Sequence, residues 1–273
     1  MKVKGVNVKK RLGQNFILDK NILSKIVNAS GVTSEDFVLE IGAGLGTLTE
    51  ELAKRVKKVV TFEIDKELYE VLKEKLRIYD NVVVINEDIM KVDLEKLAHE
   101  YFEGENFKVV ANLPYYITSP IIMLLLDCKF IKDITVLVQK EVAQRICASP
   151  GTKEYGILTV FINFKAKPKI LFNLPPSVFI PPPKVQSSLI KFEILDKPVA
   201  QVKDEKLFSD VVKAAFGQRR KVLSNALKTL NIDKEIIERA FDLSGLSFKR
   251  RGETLTVEEF ALLANNIYDL TIK

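Results

Sequence analysis

The sequence predicts an α/β protein built on a doubly wound, seven-stranded sheet over residues 1–195, followed by a small all-helical domain over residues 196–273. Three observations carry this. Short apolar runs of strand length alternate with helical patterns through about the first 195 residues. A glycine-rich turn, Gly42-Ala43-Gly44-Leu45-Gly46, leads straight from the first such run into a helix. Beyond Asp196-Lys197-Pro198 the pattern turns wholly helical.

A chain of 273 residues with 47% hydrophobic and 29% charged residues can bury a large core and a second, smaller one. Its two cysteines, Cys128 and Cys147, match no metal spacing and sit in apolar or helical surroundings, which predicts reduced core thiols and a cytoplasmic setting. No metal site is expected. No signal-like segment opens the chain and no apolar run is long enough to span a bilayer, so a membrane role has no support. The formal net charge of +6 favours a polyanionic partner. Its distribution says more: Lys2, Lys4, Lys9, Lys10 and Arg11 form a basic arm without an acid, ahead of the polar turn Gly13-Gln14-Asn15-Phe16-Ile17.

Asp19 is an N-cap for a helix with Ile22, Leu23, Ile26 and Val27 on one face, and Gly31 stops it. Phe37–Ile41 is the first strand, and the glycine-rich turn after it allows close backbone approach to a ligand before a helix built on Leu48, Leu52 and Val56. Thr47 stands where a dinucleotide fingerprint would have a glycine, which weighs against a dehydrogenase. His99, in a polar helical segment, is a poor hydride-transfer acid and weighs the same way. The second strand, Val59–Ile64, ends with Glu63 and Asp65. Glu63 is assigned to the ribose hydroxyls of a nucleoside cofactor, and Asp65 to the cap of the next helix. Val82–Ile85 is the third strand, and Asp88 beyond it can accept from an adenine amino group or belong to a solvated turn. A helix near Leu94–Tyr101 precedes the fourth strand.

That fourth strand runs through Val109-Val110-Ala111 into Asn112-Leu113-Pro114-Tyr115-Tyr116-Ile117. In open α/β sheets ligands collect beyond the carboxyl ends of strands. The Asn112 oxygen and a backbone carbonyl of Leu113-Pro114 can both accept from one exocyclic amine, while Tyr115 offers a face for a flat ring. That suits adenine N6. A plain turn with Tyr115 or Tyr116 in the core is the competing reading. Thr118 or Ser119 then caps a helix whose first turn holds Pro120. Ile134–Gln139 is the fifth strand, and Ile157–Phe164 and Ser187–Ile194 are expected to close one sheet edge as an antiparallel pair.

Taken in order, Gln14-Asn15-Phe16, Glu40-Ile41-Gly42-Ala43-Gly44-Leu45-Gly46, Glu63-Ile64-Asp65, Glu87-Asp88 and Asn112-Leu113-Pro114-Tyr115-Tyr116 resemble the ribosomal RNA adenine N6-dimethyltransferases, over nearly the whole chain. The closest likeness is to the KsgA type. The resemblance implies a Rossmann-like methyltransferase fold and a soluble monomer that uses S-adenosylmethionine. It also implies dimethylation of two adjacent adenosines in the 3′-terminal hairpin loop of small-subunit (16S) rRNA, within a pre-ribosomal particle. It places Asn15, Ile17, Gly42, Gly44, Glu63, Asp88 and Asn112 at the cofactor, with Ile17 where the family usually has Leu. By the same resemblance, Asn112, Leu113, Pro114 and Tyr115 are expected to carry the catalytic role, with Tyr115 and Tyr116 facing the base.

Phe179 within Phe179-Ile180-Pro181-Pro182-Pro183 matches the family's proline-rich loop and reads equally as a second face of a base sandwich or as a core residue. In the helical region, segments are expected near Asp204–Phe216, Arg219–Leu230, Asp233–Phe241 and Val257–Tyr268, the last opened by a Thr256/Glu259 capping box. Arg219-Arg220-Lys221 and Lys249-Arg250-Arg251 match places where the family is basic, and with the N-terminal arm they are assigned to RNA phosphate. The competitors are a large-subunit (23S) methyltransferase of the macrolide-resistance type, a member of the family's mitochondrial transcription branch, and a non-catalytic assembly factor. Retention of the Asn112 motif argues against the last.

Overall fold

Seven strands form the main sheet: β1 (Phe37–Ile41), β2 (Lys58–Phe62), β3 (Val82–Ile85), β4 (Phe107–Asn112), β5 (Ile131–Gln139), β6 (Ala166–Leu174) and β7 (Ser187–Ile194). They lie in the order β3-β2-β1-β4-β5-β7-β6 in this computed structural model, which describes residues 13–218 and 221–272 and the backbone of Lys2–Val3 and Val6–Asn7. Of the expected RNA-contacting residues, the side chains of Lys2, Lys4, Lys9, Lys10, Arg11, Arg219 and Arg220 lie outside the described residues.

β1 pairs in parallel with β2 and β4, β2 with β3, and β4 with β5. β7 runs antiparallel to β5, from Ser187 opposite Gln139 to Glu193 opposite Asp133. The chain therefore walks outward from β1 in one direction and resumes at β4 in the other. The carboxyl ends of β1 and β4 flank a topological switch point, where an open α/β sheet forms its crevice. Their interiors are apolar because helices cover both faces: Val38, Leu39, Val59, Val60, Val109 and Val110 are wholly buried.

The helices of this part are α1 (Lys20–Ser30), α2 (Thr47–Ala53), α3 (Lys66–Leu76), α4 (Leu94–Tyr101), α5 (Thr118–Leu126) and α6 (Lys140–Ile146). The Asp19 side chain accepts from the N–H groups of Asn21 and Ile22, and Gly31 closes α1 in the left-handed conformation at φ 71°. Asp65 caps α3 through the Glu67 N–H. Leu23, Ile26 and Val27 of α1 pack with Val38, Leu52, Val59 and Val110. From the sheet, Lys108 donates to the Gly31 carbonyl and Lys191 to the Ser30 carbonyl, both at 2.8 Å. These two cations satisfy the negative end of α1, where orphan carbonyls collect. α5 begins at Thr118 itself, so neither Thr118 nor Ser119 is its cap; the Thr118 hydroxyl instead donates to the Pro114 carbonyl at 3.0 Å.

The chain forms two compact units, one of residues 1–143 and 168–194, the other of residues 144–167 and 195–273. The second thus takes in an internal segment that a division at 195 leaves in the first. The expected strand Ile157–Phe164 accounts for this, because it is a helix, α7 (Ile157–Lys165). Its β-branched and aromatic content reads as strand, but Val160 and Phe164, four apart, fall on one helical face and pack with Phe208, Val211 and Phe241. The Thr159 hydroxyl accepts from the Gly156 N–H at the start of α7, and the Asn163 amide donates to the Ile146 carbonyl. The outermost strand is β6 instead. It contains Pro168, which a sheet tolerates at its edge because the missing N–H can face away from the ladder.

The second unit continues with α8 (Glu205–Gly217), α9 (Leu223–Ala226), α10 (Lys234–Ser244) and α11 (Val257–Thr271). The expected helix from Arg219 is shorter: α9 starts at Leu223, runs into a 3-10 turn at Leu227–Leu230 and stops at Asn231, φ 53°. The Thr256/Glu259 capping box is present, and Gly245 ends α10 at φ 64°. The buried Tyr155 hydroxyl donates to the Leu255 carbonyl at 2.9 Å. Cys128 is buried and Cys147 partly so, and they form no disulfide with each other. No helix among the described residues is long and apolar enough to cross a membrane.

Glu40 is the only charged residue of β1 and is 2% exposed. The Thr49 hydroxyl donates to it at 2.5 Å. Burial outweighs that bond and pushes its carboxyl up to about 7. An unfolded Glu releases its proton near the ordinary value, while the native chain keeps this one until about pH 7. Between the two, the native state binds more protons, so stability falls as pH rises through that window and is flat above it. Glu40→Gln keeps the acceptor for Thr49 and removes the titration. Denaturant unfolding at pH 4.5 and 8 should show wild type losing on the order of 3 kcal/mol more than the variant. Equal losses would remove Glu40 as the cause.

Candidate active site

The cleft at the switch point has walls from four strand ends, those of β1, β2, β3 and β4, and from the segment before α1. Glycines at 42, 44 and 46 all take positive φ, and the two later ones are also sterically required. A Cβ on Gly44 would lie 2.9 Å from the Phe16 ring, and one on Gly46 would lie 2.8 Å from Leu72. The turn is therefore pressed between the Gly13–Ile17 segment and α3, while the N–H groups of Gly42 and Ala43 reach the Phe62 carbonyl at 2.8 and 3.3 Å.

Glu63 lies just beyond β2 and is 5% exposed. Its Oε2 accepts from the Gly44 N–H and its Oε1 from the Asp65 N–H, both at 2.9 Å. Burial pushes its carboxyl above the usual range, against the pull of these two bonds. Each oxygen retains acceptor capacity toward a ligand hydroxyl. Asp88, after β3, accepts from the Met90 N–H at 3.0 Å. Asn112, the last residue of β4, donates from Nδ2 to the Asn15 carbonyl at 2.8 Å.

Every residue assigned to the cofactor from sequence, Asn15, Ile17, Gly42, Gly44, Glu63, Asp88 and Asn112, lines this one cleft. So do Leu113, Pro114, Tyr115 and Tyr116. The Tyr115 hydroxyl lies 2.6 Å from the Ser187 hydroxyl on β7, which ties its ring to the sheet while leaving it half-buried. Tyr116 is 57% exposed. Phe179 departs from the base-sandwich reading: it is 1% exposed, sits in the core with Ile17, Leu23 and Leu174, and pairs with Ile17 in a two-residue antiparallel ladder. The structure favours its core role.

Sequence reasoning gave no role to Gln14, Glu40, Ile64, Glu87 or Ile89, which also line the cleft. Apolar Ile64 and Ile89 directly follow Glu63 and Asp88 in sequence, so each carboxylate comes with an apolar neighbour. Four lining residues are acidic (Glu40, Glu63, Glu87 and Asp88), and among the described residues no Lys, Arg or His lines the cleft. Such a lining suits a nucleoside ligand carrying positive charge. It is ill suited to the pyrophosphate of a dinucleotide, which adds a further reason to Thr47 and His99.

In the second unit, the described members of the basic clusters part company. Lys221, Lys249 and Arg251 are exposed. Arg250 is engaged: its guanidinium donates to both carboxylate oxygens of Glu259 and to the carbonyl and hydroxyl of Thr254. It holds the start of α11.

Comparison with known proteins agrees with this geometry. The family model for ribosomal RNA adenine dimethylase matches residues 5–268. The chain is 68% identical to the ribosomal RNA small subunit methyltransferase A of Caldanaerobacter subterraneus subsp. tengcongensis, over 96% of this chain and 98% of that one. Among solved structures it is similar to a dimethyladenosine transferase from Plasmodium falciparum (TM-score 0.73, 27% identity, covering 90% and 95% of the two chains). It is also similar to the 23S rRNA methyltransferase ErmE (TM-score 0.70, 26% identity, 93% and 100%). With a switch-point cleft lined by acids and closed by an Asn-Leu-Pro-Tyr turn, and with a match over nearly its full length, the chain belongs to the ribosomal RNA adenine dimethylase family.

Proposed function

We propose that the protein dimethylates N6 of two adjacent adenosines in the 3′-terminal hairpin loop of small-subunit rRNA, acting as a monomer on a pre-ribosomal particle. The small-subunit assignment follows the 68% relative, whose name carries that substrate, in preference to the 27% and 26% neighbours. The observation that carries the chemistry is the joint lining of one acid-lined cleft by Glu63, Asp88 and Asn112.

The residues fit S-adenosylmethionine. Glu63 would accept from the ribose hydroxyls, Asp88 from the adenine amine, and the acidic lining complements the cofactor's positive charge. Bound there, the cofactor supplies a methyl group already activated by a sulfonium. Residues of this chain then have to prepare the nucleophile. Adenine N6 is a poor one, because its lone pair is delocalised into the ring. Hydrogen bonds from N6 to the Asn112 oxygen and to a backbone carbonyl bias the nitrogen toward tetrahedral geometry and fix its direction. The Pro114 carbonyl already accepts from the Ile117 N–H and the Thr118 hydroxyl, which leaves that of Leu113 as the second acceptor. Tyr115 stacks on a base splayed from its loop, at low cost in unpaired RNA. Lys221, Lys249 and Arg251 hold phosphate and carry no base information.

The first test is labelled methyl transfer from S-adenosylmethionine to purified, undermethylated ribosomal subunits, with the modified nucleotides mapped. Label in large-subunit RNA, or none, would overturn the proposal. Asn112→Ala should abolish transfer in single-turnover assays while melting like wild type; near-normal turnover would remove Asn112 from the chemistry. Glu63→Ala should weaken cofactor binding in calorimetry by about 1.5 to 3 kcal/mol, as expected for hydrogen bonds to a charged acceptor. Replacing Lys221, Lys249 and Arg251 with Ala should weaken RNA binding and flatten the slope of log affinity against log salt by about one per lost contact. An unchanged slope would make them an ordinary solvated face.

A further inference from the structure

We propose that Thr47 and Gln14 are positioning residues for methyl transfer, acting through the Gly13–Ile17 segment to set which end of the Asn112 amide meets the base. The proposal rests on the role given above to Asn112. An asparagine amide is nearly symmetric in shape but not in chemistry, since one end accepts and the other donates. An exocyclic amine has to be met by the accepting end. Nδ2 of Asn112 lies 2.8 Å from the Asn15 carbonyl oxygen, and a carbonyl only accepts. Turned over, the amide would set two oxygens against each other at that distance. The Asn15 carbonyl therefore selects the orientation in which Oδ1 is the acceptor left for the substrate.

That selection works only while the carbonyl stays in place, and the segment carrying it is pegged on both sides. The Thr47 hydroxyl donates to the Ile17 carbonyl at 2.8 Å. The Gln14 amide donates to Asp65 at 3.1 Å. Between them the Asn15 side chain donates to the Gly13 carbonyl at 2.9 Å, closing a turn in which Gly13 has φ 60°. Thr47 is the residue that departs from the dinucleotide fingerprint, and its hydroxyl gives a reason: a glycine there would remove this peg. Gln14 adds a link across the cleft, since Asp65 donates its own N–H to Glu63. One chain of contacts thus runs from the carboxylate assigned to ribose, through Asp65 and Gln14, to the carbonyl that orients the catalytic amide.

The test uses the full chain with undermethylated small ribosomal subunits and S-adenosylmethionine. Thr47→Val should lower the single-turnover rate at saturating cofactor by about tenfold or more, as misplacement of a catalytic group does. Cofactor Kd should move less than about threefold, and Thr47→Ser should bring the rate back within about twofold. Gln14→Ala should lower the rate in the same way. In NMR spectra, the Asn112 side-chain amide protons should exchange slowly in wild type and about tenfold faster or more in Thr47→Val. A folded Thr47→Val variant that binds cofactor weakly yet keeps the saturated rate would reduce the segment to a wall of the cofactor site and overturn the proposal. If Thr47→Val does not fold, fast exchange of the Asn112 amide in wild type, or an unchanged rate in Gln14→Ala, overturns it alone. Asn112→Ala separates the two levels. Activity in that variant defeats the reading of Asn112 itself, whereas an inactive Asn112→Ala beside fully active Thr47→Val and Gln14→Ala defeats only the positioning.

Discussion

A carboxylate 5% exposed has to be met by donors, and the way Glu63 is met ties the cleft together. Its two oxygens take N–H groups from Gly44, on the turn after β1, and from Asp65, at the start of α3. The same side chain thus fixes the conformation of the glycine-rich turn and the exit of the chain from β2. The glycines make the turn possible, because an extra methyl group at 44 would collide with Phe16. Without Glu63 the Gly44 N–H would lose its partner, and the cleft would lose a lining carboxylate along with the acceptor proposed for ribose. Architecture and the proposed binding role share one residue here.

Much of this was legible in the sequence because local and long-range signals agreed. Asp19 and Gly31 bracket α1 as capping chemistry dictates, and the Thr256/Glu259 box opens α11. The residues assigned to cofactor and base meet in one cleft because parallel strands bring their carboxyl ends to one side of a sheet, however far apart they lie in sequence. What was not legible depended on tertiary context. Ile157–Lys165 has the composition of a strand and is helical because its apolar face finds a helical core. Phe179 could have faced a base or the interior, and only the ladder with Ile17 decides for the interior. The pairing of Arg250 with Glu259 spans nine residues and leaves no local mark in a basic cluster.

The cleft also distinguishes ligands by charge in a way that motif spelling does not. Glycine-rich turns at the end of a first strand serve several nucleotide classes, so the turn itself is only weakly diagnostic. Four acids and no base among the described lining residues are more selective, since a diphosphate would meet like charge in a partly desolvated space. Asn112 adds direction to this. Its amide is turned by a backbone carbonyl and not by another side chain, so its orientation follows the path of the main chain.

The sheet ends on β6, where Pro168 interrupts the row of donors and exposed Lys167 and Lys169 stand on either side of it. An uncovered strand edge is a template on which another extended chain can add, and repeated addition leads to aggregation. Here the template is faulty at one position and positively charged beside it. A protein meant to meet a large polyanion needs a basic surface, and on this edge the same kind of charge also repels a second copy of the chain. Edge-to-edge pairing of two copies along β6 is thereby disfavoured.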